Sequence, residues 1–267
     1  QSSGGTVFYR DSFNIVPPPE HANTPEVTDQ QRTLNSLRLA YEDSVRMAYL
    51  ATFFTPVTAA RALAAHGLPE GDGQLTDFLV KSRGNHAVIL DFMVRHSDNL
   101  PRVRTLLSSL SDKDLRDMPM EILDDHFNAS SSQLCPRVEN EMIIHPFKQF
   151  FETAFSQKQA DRFRQDPMRL VAWIKKHIRI NPDKKALQIA QTPIGVWNAR
   201  VTDERSRKIF FVDVARSLGI EARVDAITKK TQYRKGSEWV DVDFEKTVEK
   251  TPAKGQLRLS YEGGGVV

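Results

Sequence analysis

Residues 203–228 read DERSRKIFFVDVARSLGIEARVDAIT. Ile209, Phe210, Phe211, Val212, Val214, Ala215 and Leu218 cover nearly every side of a helix at this spacing. A helix that is apolar all round belongs inside a protein, not on its surface. Gly219 stops it, because glycine takes the left-handed backbone of a helix end at no steric cost. Ile220 and the alternating Ala222, Val224 and Ala226 then describe a strand that packs back on the helix. The head of the helix is Asp203-Glu204-Arg205-Ser206, where Asp203 or Ser206 can accept backbone N–H bonds as an N-cap.

The sequence around this stretch changes character once. From Thr28 to about residue 180 the pattern is helical. Thr28-Asp29-Gln30-Gln31 is a capping-box pattern, and Leu34, Leu37, Tyr41, Val45 and Ala48 follow at helical spacing. Further helices are expected over 57–66, closed by Gly67; after Asn85 as a cap; from Pro101; after Ser111; over 119–127; across VENEMIIHPFKQFFETAF (138–155); and from Asp166-Pro167. Residues 191–200, QTPIGVWNAR, read as turns. Beyond the buried helix, EARVDAIT, TQYRKG, EWVDVDFE and QLRLSY (256–261) alternate or carry β-branched residues, as strands do. The fold class is therefore α+β. An extended segment over 1–27 contains Pro17-Pro18-Pro19, a helical region spans 28–165, a mixed core spans 166–250, and 251–267 begins a β segment that reads as cut short. Gln1-Ser2-Ser3-Gly4-Gly5 likewise reads as a trimmed start.

Composition narrows the function classes. Thirty-seven basic residues against thirty-four acidic ones, in 267 residues, is too weak a bias for a dedicated nucleic-acid binder. The Lys229-Lys230 to Arg234-Lys235 stretch reads as a solvated turn. No run approaches the roughly 20 apolar residues of a membrane span. Cys135 is the sole cysteine, so neither an intramolecular disulfide nor a cysteine zinc site is available. Cys135 and His145 lack an oriented third group. His86, Asp91 and His96 lack zinc-helix spacing, and Asp124-Asp125-His126 reads as a charge cluster at a helix end. Ser82-Arg83-Gly84-Asn85 lacks the second glycine and the Lys-Ser/Thr of a phosphate loop; Arg83 is kept as a candidate lining a cleft between the helical region and the core. No metal or cofactor is expected.

Two motifs carry a family resemblance. Arg216-Ser217-Leu218-Gly219-Ile220-Glu221-Ala222-Arg223 resembles the run that follows the catalytic helix in the transglutaminase-like superfamily, a papain-like cysteine-enzyme fold, with Glu221 where that family has proline. Trp239-Val240-Asp241-Val242-Asp243 resembles its later strand motif. The chain as a whole is similar to large bacterial cell-envelope members, in which a helical region leads to this core and then to β-sandwich modules. The resemblance implies an extracytoplasmic location and β-sandwich neighbours.

It also implies a triad. An active member has a cysteine at the helix N-terminus, where the helix dipole and a histidine lower the thiol pKa, and an Asp that orients the histidine. The family spacing puts the nucleophile at about Glu204, within two residues, and the base at about Ala226 to Lys229. Ser206 is the one hydroxyl nucleophile available, and neither stretch holds Cys or His. Asp243 alone fits the triad, with Asp241 beside it. Loss of both nucleophile and base costs such an enzyme on the order of 10⁶-fold in rate. The reading is a non-catalytic scaffold or recognition module that binds a peptide or glycan in the old cleft, with Arg205, Trp239, Asp241 and Arg83 as cleft candidates. Trp239 also reads as core, and Asp243 as an inert strand-end carboxylate. The alternatives are a protease or acyl transferase with a non-standard nucleophile, or a purely structural spacer, for which no ligand-sized cleft is expected near Asp243 and Arg205.

Overall fold

The computed structural model describes residues 26–129, 135–183 and 189–245. The expected extended N-terminal segment (but for its last two residues) and the expected strand at 256–261 lie outside them.

The chain divides into a first unit, to Ala51, and a second that starts at Thr52. The described part of the first unit is helix α1, Asp29–Leu50. Its capping box is formed: the Thr28 hydroxyl accepts the Gln31 N–H and the Gln31 side chain accepts the Thr28 N–H.

The second unit holds two hydrophobic cores. The first lies among α2 (Pro56–Ala65), α3 (Gly73–Ser82), α4 (His86–Arg95), α5 (Leu100–Ser108), α6 (Asp112–Asp117) and α7 (Met120–Asn128). Helix α3 is its hub and touches α2, α4, α5 and α6. Leu63, Leu75, Leu79, Ile89, Phe92, Leu106 and Leu107 are fully buried there. Ser111 closes a capping box on α6 as the sequence implies, and Thr55 closes one on α2, which starts at Pro56. Asn85 does not cap α4; its amide instead donates to the carbonyls of Leu115 and Met118, both at 3.0 Å, tying α4 to the end of α6.

The second core contains α8 (Lys148–Ala154), α9 (Gln157–Gln165), α10 (Met168–His177), α11 (Pro193–Ala199) and α12 (Glu204–Ser217). It also holds two small sheets. Strands β1 (Arg179–Ile180) and β2 (Val201–Thr202) are parallel, while β3 (Ala222–Val224), β4 (Thr231–Lys235) and β5 (Glu238–Val242) form an antiparallel meander. The α+β class stands. Phe147, Phe151, Phe155 and Phe163 join this core, so α8 and α9 belong with the buried helix and not with the preceding helices. Phe147 packs in this second core, while Ile143, just before it, packs against both.

Helix α12 is the axis of this core, packed by α8, α10, α11 and the meander. Ile209, Phe210, Phe211, Val212, Val214 and Ala215 are at most 1% exposed, as an all-round apolar helix requires. It ends in a Schellman motif: Gly219 (φ 80°) and Ile220 return N–H bonds to Arg216 and Ala215 at 3.0 and 2.8 Å. Two stretches differ from the sequence expectation. Residues 193–199 form a helix, started by Pro193 and by a Thr192 hydroxyl that accepts the Gly195 N–H. Residues 138–147 are irregular, with helix resuming only at Lys148.

Candidate functional site

The N-terminus of α12 is closed by its own side chains. Asp203 is the N-cap; one carboxylate oxygen accepts the Ser206 N–H at 2.8 Å and the other the Ser206 O–H at 2.6 Å. The Ser206 oxygen in turn accepts the Gln191 N–H at 3.0 Å, and the residue is fully buried. Its hydroxyl proton and an oxygen lone pair are both committed to structural bonds, and no histidine is hydrogen-bonded to it. A serine nucleophile needs a base free to take its proton and a path to substrate. Among the described residues the only acceptor on the Ser206 O–H is the Asp203 carboxylate, which also caps the helix, and the buried hydroxyl has no path to substrate. Glu204, where the resemblance puts a nucleophile, is exposed in the first turn.

Arg205 points out beside it. Its guanidinium donates to Glu139 at 3.2 Å and also binds the Asn140 side-chain oxygen. These groups open onto a groove of about 500 Å³. One wall is Val138, Glu139 and Asn140; the floor is Arg205 and Val224; the far wall is Ala226 and Lys229. Arg205 at the helix head and the 226–229 stretch, the two places where the resemblance puts nucleophile and base, therefore line the same open groove. It is lined by neither histidine nor cysteine. The far wall is the β3–β4 turn, where Asp225 accepts the Thr228 N–H and O–H at 2.8 and 2.9 Å and Lys229 takes left-handed backbone. Those bonds, the Thr228 N–H foremost, hold the Asp225 carboxyl below its ordinary value. Ile227, at the tip of this turn, is 91% exposed.

The opposite wall is anchored from two sides. Glu141 is buried and accepts the N–H groups of Val138 and Glu139, both at 2.8 Å. Arg137 pairs with buried Asp114 of α6, and Arg216 of α12 donates to the carbonyls of Cys135 and Arg137 at 3.2 and 2.7 Å. Burial pulls the Asp114 carboxyl upward, but the hydrogen bonds of Arg137 and Ser111 outweigh it and hold it below its ordinary range.

The remaining candidates do not join the groove. Trp239 and Asp241 do not line it, because strand parity sends Val240 and Val242 to the core and these two to the outer face. Trp239 is not core: it is half-buried on that face, with the Arg223 guanidinium 4.1 Å from its ring centre. Asp241 accepts from Lys230 at 2.5 Å and Gln232 at 2.8 Å, contacts that lower its carboxyl, Gln232 first. Asp243 is exposed just past β5, at the end of the sheet where Val224 pairs, and accepts the Glu245 N–H at 2.8 Å. Arg83 is exposed at the end of α3, with positive φ (49°), and its carbonyl is bonded by His86 Nδ1 at 2.6 Å; it belongs with the first core and is not brought to Arg205. Cys135 directs its thiol to the carbonyls of Ser109 and Arg137, not to His145.

Sequence reasoning missed a buried polar seam between the two cores. Asp125 accepts three backbone N–H bonds, from Phe147, Lys148 and Gln149, at 2.8, 2.7 and 3.0 Å. His126, Lys148 and Asp213 are each at most 2% exposed and each carries a polar atom without a partner. Burial first, then the charges of Lys148 and Arg216, push the His126 imidazole down to about 3. Burial lowers the Lys148 ammonium to about 8 and raises the Asp213 carboxyl well above its ordinary range. The sequence signal was slender: a polar Asp213 inside an apolar helix, and Asp-His at the end of α7.

No protein-family profile, curated protein or solved structure matches the chain. No described helix is long and apolar enough to cross a membrane.

Proposed function

We propose that the second core is a transglutaminase-like domain without catalytic groups, and that its groove recognises an extended peptide or a glycan. The carrying observation is the groove beside Arg205: it opens where a catalytic cleft is expected, while the hydroxyl at the helix head, on Ser206, is sealed behind Asp203 and Gln191. Reactive chemistry needs a nucleophile and base in mutual reach. Recognition needs only shape and a few placed groups, here the cation of Arg205 beside the apolar Val138, Val224 and Ala226. That apolar lining favours a peptide over a glycan as the occupant. The groove also weighs against a featureless spacer. The motif resemblance supports a cell-envelope setting, with further β modules of the same protein as neighbours.

The test is an amide NMR titration of the full chain with pooled peptides and with cell-wall glycan fragments. A ligand should shift resonances of residues 138–140 and 224–229, and Arg205→Glu, which reverses the charge in the groove, should weaken it about tenfold, a loss of about 1.4 kcal/mol. Shifts elsewhere, or affinity unchanged by Arg205→Glu, would overturn the assignment.

A further inference from the structure

The seam between the two cores holds a histidine that has nowhere to put a proton. His126 lies on α7 and is 2% exposed, with neither ring nitrogen hydrogen-bonded. Its ring sits edge-on to Phe147 at 4.9 Å. The charges that act on it, Lys148 from α8 and Arg216 from α12, are both positive. The neighbouring acids are committed elsewhere. Asp125 accepts three N–H groups across the seam, and Asp124 pairs with Arg95 at the end of α4 and with His96 just after it. From α5, Arg102 adds another cation, over the Phe127 ring at 4.9 Å. Glu152 of α8 raises Lys148, whose ammonium nitrogen makes no hydrogen bond.

We infer that the α7–α8 seam is an acid-released joint: protonation of His126 parts the first helical core from the α12 core while each keeps its own packing. Asp213 of α12 keeps an unpartnered oxygen in the seam but is not among the groups that act on the ring, whereas Lys148 and Arg216 are. A further cation at His126 therefore finds no acceptor in its present packing; it must reach water, and reaching water means separating α7 from α8. The cores on either side are distinct clusters of buried residues, which lets the joint open without melting either. The sign follows from linkage. The folded value of the ring, about 3, lies below its ordinary 6.5. The closed seam is therefore fully favoured above pH 6.5 and loses ground as pH falls from there toward 3. The opening equilibrium grows about tenfold per pH unit below 6.5.

Hydrogen exchange of the full chain at pH 7 and pH 5.5, corrected for intrinsic rates, reads this directly. Protection over residues 120–129 and 147–154 should fall about tenfold at pH 5.5, while the centre of α12 stays protected. His126→Phe and His126→Leu should each abolish the fall. A pH-independent seam, or the same fall in a folded variant, would overturn the joint. Should neither variant fold, the wild-type imidazole resonances decide: a His126 ring that titrates near 6.5 with seam protection intact contradicts it, and a ring that stays neutral wherever the seam is protected supports it.

Discussion

Asp203 and Ser206 close on each other across the first turn of α12: one carboxylate takes both the N–H and the O–H of the serine, at 2.8 and 2.6 Å. The N-terminal end of a helix that could activate a nucleophile is thereby spent on the protein's own cap. Asp203→Ala should destabilise the fold by about 0.5–2 kcal/mol, the usual worth of an N-cap, read as a lower urea midpoint at unchanged slope. Ser206→Ala should leave peptide or glycan binding unaltered. Weakened binding in a folded Ser206→Ala protein would put the serine in the site.

Asp125 fastens the two cores. Asp125→Ala leaves three buried N–H groups of residues 147–149 unpaired and should cost at least about 2 kcal/mol in urea denaturation. Asp125→Asn keeps an acceptor oxygen and should fall between the two. A loss below about 0.5 kcal/mol for the alanine variant would mean that the seam is wet.

Arg137 and Asp114 form the other tie, which also anchors the wall of the groove. Breaking a buried pair strands the remaining charge, so Arg137→Ala should cost about 3–5 kcal/mol. The double variant Arg137→Met with Asp114→Leu should recover much of it. Equal losses for single and double variants in denaturation midpoints would contradict a stranded charge.

Asp213 sets the response to alkali. Its folded pKa lies above the ordinary value because burial, and then the charge of Glu141, penalise the carboxylate. A raised carboxyl favours the folded state fully below its unfolded pKa, and that contribution drains as pH rises toward the folded value. Wild-type stability should therefore fall with pH above about 4 by up to about 1.4 kcal/mol per unit from this group. Asp213→Asn should flatten the slope and raise the melting temperature at pH 8. An identical pH profile in the variant would show that Asp213 is ionised in the fold.

Much of this architecture is readable from residue pattern. The all-round apolar run marks α12 as the axis, and Thr28 and Ser111 mark helix starts through side-chain chemistry that is local in sequence. The parity of Val240 and Val242 already puts Trp239 on the opposite face, although an isolated tryptophan reads as core. Long-range contacts were not readable. Asn85 looks like a cap because its partners, Leu115 and Met118, are thirty residues or more away. The apolar residues of 138–147 look helical, yet that segment is irregular: the Glu141 carboxylate takes the N–H groups of Val138 and Glu139, and Arg137 just before it, whose carbonyl Arg216 of α12 binds, holds the Glu141 carbonyl. Pro193 and Gly195 look like turn residues, but Thr192 caps them into a helix. Within the groove, Arg205 was legible from its place at the helix head, whereas Glu139 and Asn140 come from a segment more than sixty residues earlier in sequence.

The central claim is that the groove recognises and does not react. Intact-mass measurement after incubation with serine-directed and thiol-directed acyl probes tests it most directly, with Ser206→Ala and Cys135→Ala as controls. The expected result is no stoichiometric adduct on the folded protein. A one-to-one adduct on Ser206 or Cys135 that the matching alanine variant removes would contradict it.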